Sequence, residues 1–295
     1  MPAAWLARVR VRVYHNHGMA ALSAGGVVKF LLRLSEKVSS NLATTVLYVA
    51  PSVRAAAIRE GFVTPAKARS ILSINGLDTG TRFSPDAVSP DRRESLRKDL
   101  GIPLGSQVLG FVGRVFKVKG IVELSEAWRE LRIRYPDLHW VIVGGLDDRE
   151  AIPNAVRKML STDDRVHLTG HVDDVPAYFS IMDVMAAPSR HEGLGYVVIE
   201  ALAMGVPVVA TAIPGLEDAL DDGETGTLVT PGDVVGLMVA IGRYLDSPDL
   251  RALHGEEGRR RTVRRFDRHR VWEAHYELYC DLIVARDRST ASVQG

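Results

Sequence analysis

From residue 108 onward, short apolar runs alternate with stretches of helical period. Val108–Val112, Trp140–Val143, Val166–Thr169, Val184–Ala187, Pro207–Thr211 and Gly226–Val229 have the length of strands. Most are bounded by Gly, Pro or Asp, as strands buried on both faces are. Between them, Val122–Tyr135, Ala151–Leu160, Pro176–Met182 and Val197–Met204 carry apolar residues at helical spacing. The alternation predicts a doubly wound α/β domain over residues 86–266, with about six parallel strands.

Residues 1–85 predict part of a second α/β unit. Strands are expected at Val11–His15, Thr45–Val49 and Ser70–Ile74, and helices at Val27–Leu42 and Val53–Glu60. In the first helix Phe30, Leu31, Leu34 and Val38 are expected to face inward. Lys29, Arg33 and Lys37 then form a basic stripe on its other side. Three strands are few for an independent sheet of this kind. Asp78–Pro103, with Pro85, Pro90 and Pro103, predicts a linker and a short helix over Asp91–Leu100. Asp267–Val284 predicts a final helix, with Val271, His275, Leu278 and Leu282 on one side, packing back toward the N-terminal unit. Residues 285–295 are expected to be a disordered tail.

Composition narrows the function classes. The chain has 295 residues, enough for two domains, and a net charge of +1. That balance argues against nucleic acid as a partner. A single cysteine, Cys280, excludes a disulfide framework and a cysteine-rich metal site, and favours a reducing compartment. No apolar run is long enough to span a bilayer, and the N-terminus lacks the features of a signal peptide. A cytoplasmic protein is expected. Charge is uneven, however. Residues 1–60 hold eight basic residues against Glu36 and Glu60, a local balance of +6. Such a field suits phosphates or an anionic membrane met peripherally, and equally a solvated helix face.

Chemistry concentrates at the ends of the apolar runs. Ser189-Arg190-His191-Glu192-Gly193-Leu194-Gly195 follows one strand and opens a helix. A glycine-containing turn at a helix N-terminus presents free N–H groups and a positive dipole end, which suits a diphosphate. Glu192 precedes this turn and Glu200 follows eight residues on. Carboxylates offer only acceptors, fit for paired sugar or ribose hydroxyls. A capped helix with two exposed acids is the competing reading, and Gly193 and Gly195 weigh against it. Gly113-Arg114-Val115-Phe116-Lys117-Val118-Lys119-Gly120 follows the first strand of the domain, where Arg114 and Lys119 could clamp phosphates or form a basic surface turn. Gly170 and His171 follow a third strand, at a base-sized approach or a plain tight turn. Tyr14-His15-Asn16-His17-Gly18 ends the first strand of the chain. Its two histidines lack an evident third metal ligand, leaving a sugar-hydroxyl contact or surface imidazoles. No GxGxxG follows a strand and no GxxxxGK[ST] occurs, which disfavours dinucleotide oxidoreductases and Walker-type NTPases. Asp147-Asp148 and Asp173-Asp174 read as loop acids or helix caps.

With Glu192 to Glu200 as an E-x7-E motif, continuing Ala201-Leu202-Ala203-Met204-Gly205-Val206-Pro207, the sequence resembles the family 4 retaining glycosyltransferases. The GRxxxxKG segment at Gly113–Gly120, the loop Ile213–Leu216 and Asp222-Gly223-Glu224-Thr225-Gly226 agree with that family. The resemblance covers about residues 11–283. It implies the GT-B fold of two Rossmann-like domains, here with an incomplete N-terminal one.

The family's roles carry over residue by residue. The resemblance implies that Arg114 and Lys119 bind the donor diphosphate beside Gly113. Glu192, Gly193, Leu194 and Gly195 would hold the transferred sugar and the phosphates. Glu200 would hold the ribose, and Gly170 and His171 would lie against the base. His17 matches a family histidine facing the donor sugar. His17, Glu192, Arg114 and Lys119 are the implied catalytic group. No metal and no cofactor are expected beyond the nucleoside-diphosphate sugar, which family likeness makes a UDP-sugar, and the implied acceptor is a lipid-linked saccharide. Asn75-Gly76-Leu77-Asp78 and Phe83-Ser84-Pro85 look most like members that extend cell-surface polysaccharides. Relative to that family, strands and a Gly-rich loop are expected ahead of Val11–Gly18 and are missing here. A binding-only remnant and a sugar-nucleotide epimerase are therefore the rival expectations.

Overall fold

The structure is a computed structural model that describes residues 1–19, 25–73, 75–147 and 152–291, the stretch 286–291 as backbone. The chain forms two compact units. The first comprises Met1–Gly76, Glu192–Leu194 and Arg265–Gly295, and the second Leu77–His191 and Gly195–Arg264.

In the first unit a parallel three-stranded sheet runs β1 (Val13–Asn16), β2 (Thr45–Tyr48), β3 (Ala68–Ser70). Helices α1 (Pro2–Leu6), α2 (Gly26–Leu42) and α3 (Pro51–Arg59) accompany it. β2 is buried throughout, as the middle strand of a covered sheet must be. The third strand lies earlier than the expected Ser70–Ile74: Val46 pairs with Ala68 and Tyr48 with Ser70. Past it, Ser73 takes a left-handed φ of 70°, which ends the extended run, and Ile74 is outside the described residues.

The α2 helix forms as expected but is rotated. Phe30, Leu31, Leu34 and Val38 are 65%, 56%, 49% and 43% exposed. The polar side turns inward instead. Glu36 accepts hydrogen bonds from Tyr14 Oη at 3.2 Å and Asn16 Nδ2 at 3.0 Å. Arg33 Nη1 reaches Glu60 at 3.0 Å while its guanidinium lies 4.8 Å over the Phe62 ring. Polar side chains on β1 and α3 thus supply partners for the polar face, and Arg33 leaves the expected outward stripe. Burial raises the Glu36 pKa above its ordinary value, and it pushes the Tyr14 hydroxyl up to about 12, helped by the Glu36 charge.

The second unit carries a six-stranded parallel sheet. Its strands are β4 (Gln107–Val112), β5 (Leu138–Val143), β6 (Val166–Gly170), β7 (Val184–Ala187), β8 (Val208–Thr211) and β9 (Gly226–Val229). They lie in the order β6-β5-β4-β7-β8-β9. Helices α4 (Pro90–Asp99), α5 (Ile121–Arg134), α6 (Asn154–Thr162), α7 (Val175–Phe179), α8 (Tyr196–Ala203), α9 (Leu216–Ala219) and α10 (Val234–Asp246) connect the strands or flank them. The α6 helix begins later than Ala151, which lies outside the described residues. Ser89 caps α4 by accepting from Arg92 N–H at 3.2 Å, and Pro90 fits the first turn because its missing N–H would have no partner there. Leu109, Phe111, Trp128, Trp140 and Ile142 are buried in one core, and the two indoles meet at 5.6 Å between centroids. This sheet reverses its winding between β4 and β7, and the carboxyl ends of these two strands open onto the switch point.

Two helices follow, α11 (Pro248–Phe266) and α12 (Arg268–Ala291). The α11 sequence hides its helix, because Gly255 and Gly258 ordinarily weaken one. Both glycines allow close packing: a Cβ would lie 2.2 Å from Gly205 O at Gly255 and 2.7 Å from Leu202 Cδ2 at Gly258. The α12 helix corrects the expected tail at 285–295 by continuing to Ala291, with no Gly or Pro between Arg268 and Ala291 to stop it. Residues 292–295 lie outside the described ones. No helix among the described residues is long and apolar enough to cross a membrane.

Candidate functional site

The loop after β4 is built by two glycines. Gly113 has φ +142° and donates to Val143 O at 2.8 Å, so it leaves β4 still tied to β5. Val115 N–H then donates to Gly145 O at 2.8 Å, and Asp147 N–H to Val115 O at 3.1 Å. These bonds join the loops after β4 and β5. A Cβ on Gly144 would come within 2.0 Å of Gly113 O, so this approach needs glycine. Arg114 is exposed, and its Nη1 donates to Asp147 Oδ2 at 2.6 Å with its guanidinium 4.7 Å over Phe116. Asp147 is therefore part of the site as the counter-charge of Arg114. Of the two expectations for this acidic pair, loop acid or helix cap, Asp147 meets the first. Asp148 is outside the described residues.

A 3₁₀ turn, Lys117–Lys119, leads to Gly120, whose φ of +72° opens α5. A Cβ on Gly120 would lie 2.0 Å from Pro188 O. At the same junction Arg190 N–H donates to Val118 O at 2.8 Å. Here the structure brings together two segments far apart in sequence, the Gly113–Gly120 loop and the loop after β7. Lys119 stands in the junction, between Val118 and Gly120.

The loop after β7 is held at its start. Ser189 O accepts from Thr211 Oγ1 at the end of β8, and Arg190 Nε donates to Glu123 Oε1 at 2.8 Å. Glu192–Leu194 group with the first unit. Within that unit a Cβ on Gly193 would lie 2.0 Å from His17 O, so Gly193 and His17 meet backbone to backbone. Leu194 is buried. Gly195, with φ +67°, precedes the first residue of α8, and a Cβ there would strike Leu216 Cδ2 at 2.3 Å. Its left-handed conformation turns the chain into the helix, whose N-terminus carries the positive end of the helix dipole.

Glu200 sits in the second turn of α8, partly buried. Burial pushes its pKa up from 4.5 to about 7, and the charge of Arg82 partly opposes the rise. A carboxyl with its pKa moved this far is a common mark of a binding site. Gly170 ends β6 with φ +71° and bridges to Gly144, at the same carboxyl edge of the sheet. His171 is exposed, 3.9 Å from Asp173. It packs into nothing here. Asp174 holds the N-cap position of α7 without a side-chain capping bond and reaches Arg92 at 3.4 Å.

In the first unit His17 is exposed at the end of β1. His15 is held more firmly: its Nε2 lies 2.6 Å from Tyr279 Oη on α12, and its ring stacks on His275 at 5.8 Å. Burial, then the nearby His275 and His17, lower its pKa. Among the described residues no group of three or more His, Cys, Asp or Glu could hold a metal ion. Sequence reasoning missed Asp147, Glu123 and Arg82. Only Arg190, inside the quoted motif, hinted at an acidic partner.

An open parallel sheet with glycine-built loops at its switch point makes this an α/β protein of the kind that binds ligands there. Comparison with known proteins identifies the class. The Glycosyl transferases group 1 family matches residues 92–261, more than half of the chain, and the chain belongs to it. Its fold is that of the GT-B glycosyltransferases. It is 28% identical over 279 residues to the capsular polysaccharide biosynthesis glycosyltransferase CapM of Staphylococcus aureus, a match over 94% of this chain and 72% of that protein. It is 33% identical over 219 residues to the D-inositol 3-phosphate glycosyltransferase of Corynebacterium urealyticum, covering 72% of this chain and 51% of that one. The chain thus spans about half the length of that relative. Among solved structures, Anabaena Alr3699/HepE in complex with UDP superposes with a TM-score of 0.81 at 25% identity, over 95% of this chain and 74% of that one.

Proposed function

We propose that this chain transfers a sugar from a nucleoside diphosphate, UDP, to a saccharide acceptor carried on a lipid, in the synthesis of cell-surface polysaccharide, with retention at the anomeric carbon. One observation carries the reading: the Gly113–Gly120 loop and the Gly195-led N-terminus of α8 meet the same end of the β4–β7 switch point. That arrangement offers a diphosphate backbone N–H groups on one side and Arg114 and Lys119 on the other. Both charges stabilise the diphosphate as it leaves the sugar. Glu200, one turn farther into α8, suits the ribose hydroxyls, and Gly170 leaves room for the base. Glu192, Gly193 and Leu194 are assigned to the transferred sugar, with His17 beside it. No step in this reading uses a metal or a further cofactor. UDP is favoured because the similar Alr3699/HepE binds it in its crystal structure. CapM, matched over most of this chain, is named for capsular polysaccharide. Lys29 and Lys37, with the outward Phe30 and Leu34 of α2, suit contact with an anionic membrane carrying the acceptor.

The test is to incubate the chain with radiolabelled UDP-sugars and a lipid-linked acceptor extract. Label in the lipid fraction, with an α-linkage by NMR from an α-linked donor, is expected. Absence of transfer from every nucleotide sugar, by a chain whose fold is intact by circular dichroism, would overturn the reading.

A further inference from the structure

Arg190 fastens the loop after β7 to the rest of the second unit through both its main chain and its side chain. Its backbone N–H donates to Val118 O at 2.8 Å. Its side chain turns the other way and gives both Nε and Nη2 to one oxygen of Glu123, the Nε bond at 2.8 Å. Glu123 is a buried carboxylate in the first turn of α5, where the helix dipole favours its negative charge. Its other oxygen, Oε2, is buried without a hydrogen-bond partner. A buried carboxylate in that state depends on the charge it does have beside it. Glu123 is the buried partner and Arg190 the half-exposed one, so the constraint on the pair comes from the Glu123 side. Two residues beyond Arg190 the chain reaches Glu192, and three residues before Glu123 it passes Gly120, packed on Pro188. The pair stands at the root of the loop and beside the Lys119 turn.

We infer that Arg190, anchored on Glu123, is a positioning residue that fixes the Pro188–Gly195 loop, and through it Glu192 and Gly193, against the transferred sugar. The inference rests on the donor-transfer reading above for what the loop does. It does not rest on that reading for what holds the loop. Loss of the pair should lower turnover, which needs the sugar that Glu192 would meet, more than it lowers affinity for UDP, which lacks that sugar. A role in stability alone would instead lower the melting temperature and leave kcat of the folded protein unchanged.

The experiment compares wild type with Arg190→Met, Glu123→Gln and the double variant, all in the full chain. Three readouts are taken: amide hydrogen exchange over residues 188–195, UDP affinity by calorimetry, and kcat and KM with a UDP-sugar. Each single variant should speed exchange in that segment at least tenfold and lower kcat at least tenfold. UDP affinity should fall by a smaller factor than kcat does. The double variant should do no worse than either single one, because the two side chains act as a unit. Should the Met variant not fold, Arg190→Lys, which keeps the charge and loses the fork, decides on the same readouts by showing an intermediate effect. Unchanged exchange in the single variants, or additive losses in the double, would overturn the inference. A wild-type chain inactive with every sugar nucleotide overturns the donor-transfer reading instead. The exchange comparison still decides whether the pair holds the loop.

Discussion

Arg114 Nη1 lies 2.6 Å from Asp147 Oδ2, so the cation of the β4 loop is oriented by an acid from the β5 loop. The two loops are already joined by backbone bonds, and the ion pair adds a side-chain fastening at their outer edge. An oriented guanidinium can present its remaining N–H groups to a diphosphate. Arg114→Ala is expected to weaken UDP binding by about 10- to 100-fold, since hydrogen bonds to charged groups contribute about 1.5–3 kcal/mol. Arg114→Lys should fall between, keeping charge and losing the fork. Isothermal titration calorimetry checks both. UDP affinity unaltered in Arg114→Ala would remove Arg114 from the donor site.

Under the proposed function, Glu200 is expected to make donor binding depend on pH. Its pKa in the folded chain, about 7, is above the unfolded value of 4.5. The folded state therefore holds the proton more tightly, and this group's contribution to stability is fully present below pH 4.5 and is lost as pH rises through 7. Binding has the opposite sign, because the ionised carboxylate is the better acceptor for ribose hydroxyls. UDP-glucose affinity should rise about tenfold from pH 6 to pH 8, the span over which a group of pKa near 7 ionises. UDP-glucose serves better than UDP, whose terminal phosphate itself titrates near pH 6. In Glu200→Gln the rise should vanish. A persistent rise in that variant would assign it to another group.

Much of this site can be read in the sequence, because it is made by local chain geometry. Gly113, Gly120 and Gly195 each stand where a strand gives way to a helix or turn, and that order of residues is visible along the chain. The six strands of the second unit are equally visible, each being an apolar run bounded by turn residues. What could not be read is made by pairs distant in sequence. Asp147 meets Arg114 and Glu123 meets Arg190 across 33 and 67 residues. The α2 helix failed for a related reason. Its period is evident in the sequence, but which side faces the sheet was decided by Tyr14, Asn16, Glu60 and Phe62, which take its polar side chains. In α11, glycines such as Gly255 and Gly258 ordinarily weaken a helix, and their use in close packing appears only once Gly205 and Leu202 are in place.

Gly120 tests the junction of the two loops directly. Its φ is +72°, and a Cβ would lie 2.0 Å from Pro188 O. Gly120→Ala therefore combines backbone strain with a clash against main chain, which has no rotamer by which to move away. Gly105 provides the control, with φ +87° and open space around it. Strain alone costs about 1–3 kcal/mol, so Gly105→Ala should stay inside that range and Gly120→Ala exceed it. Urea titration followed by circular dichroism measures both. UDP affinity should drop for Gly120→Ala and hold for Gly105→Ala. Equal destabilisation of the two would show that the contact with Pro188 costs nothing to break.

Arg261 tests what keeps the far side of the sheet in place. It is 1% exposed, and it donates to Asp221 Oδ2 at 2.6 Å, Ala219 O at 2.6 Å and Asp218 O at 2.8 Å. One guanidinium of α11 thus binds the end of α9 and the turn before β9. Arg261→Met fills much of the same volume and removes every one of these donors. Breaking a buried ion pair costs about 3–5 kcal/mol when the remaining charge stays buried. Asp221 is partly exposed and can regain water, which places the loss near about 3 kcal/mol. For a unit of this size that is a fall in melting temperature of about 6–12 °C. Asp221→Asn keeps an acceptor for Arg261 and should cost less. Scanning calorimetry orders the two variants, and an Asp221→Asn loss as large as that of Arg261→Met would mean that the charge, and not the carbonyl contacts, holds the turn.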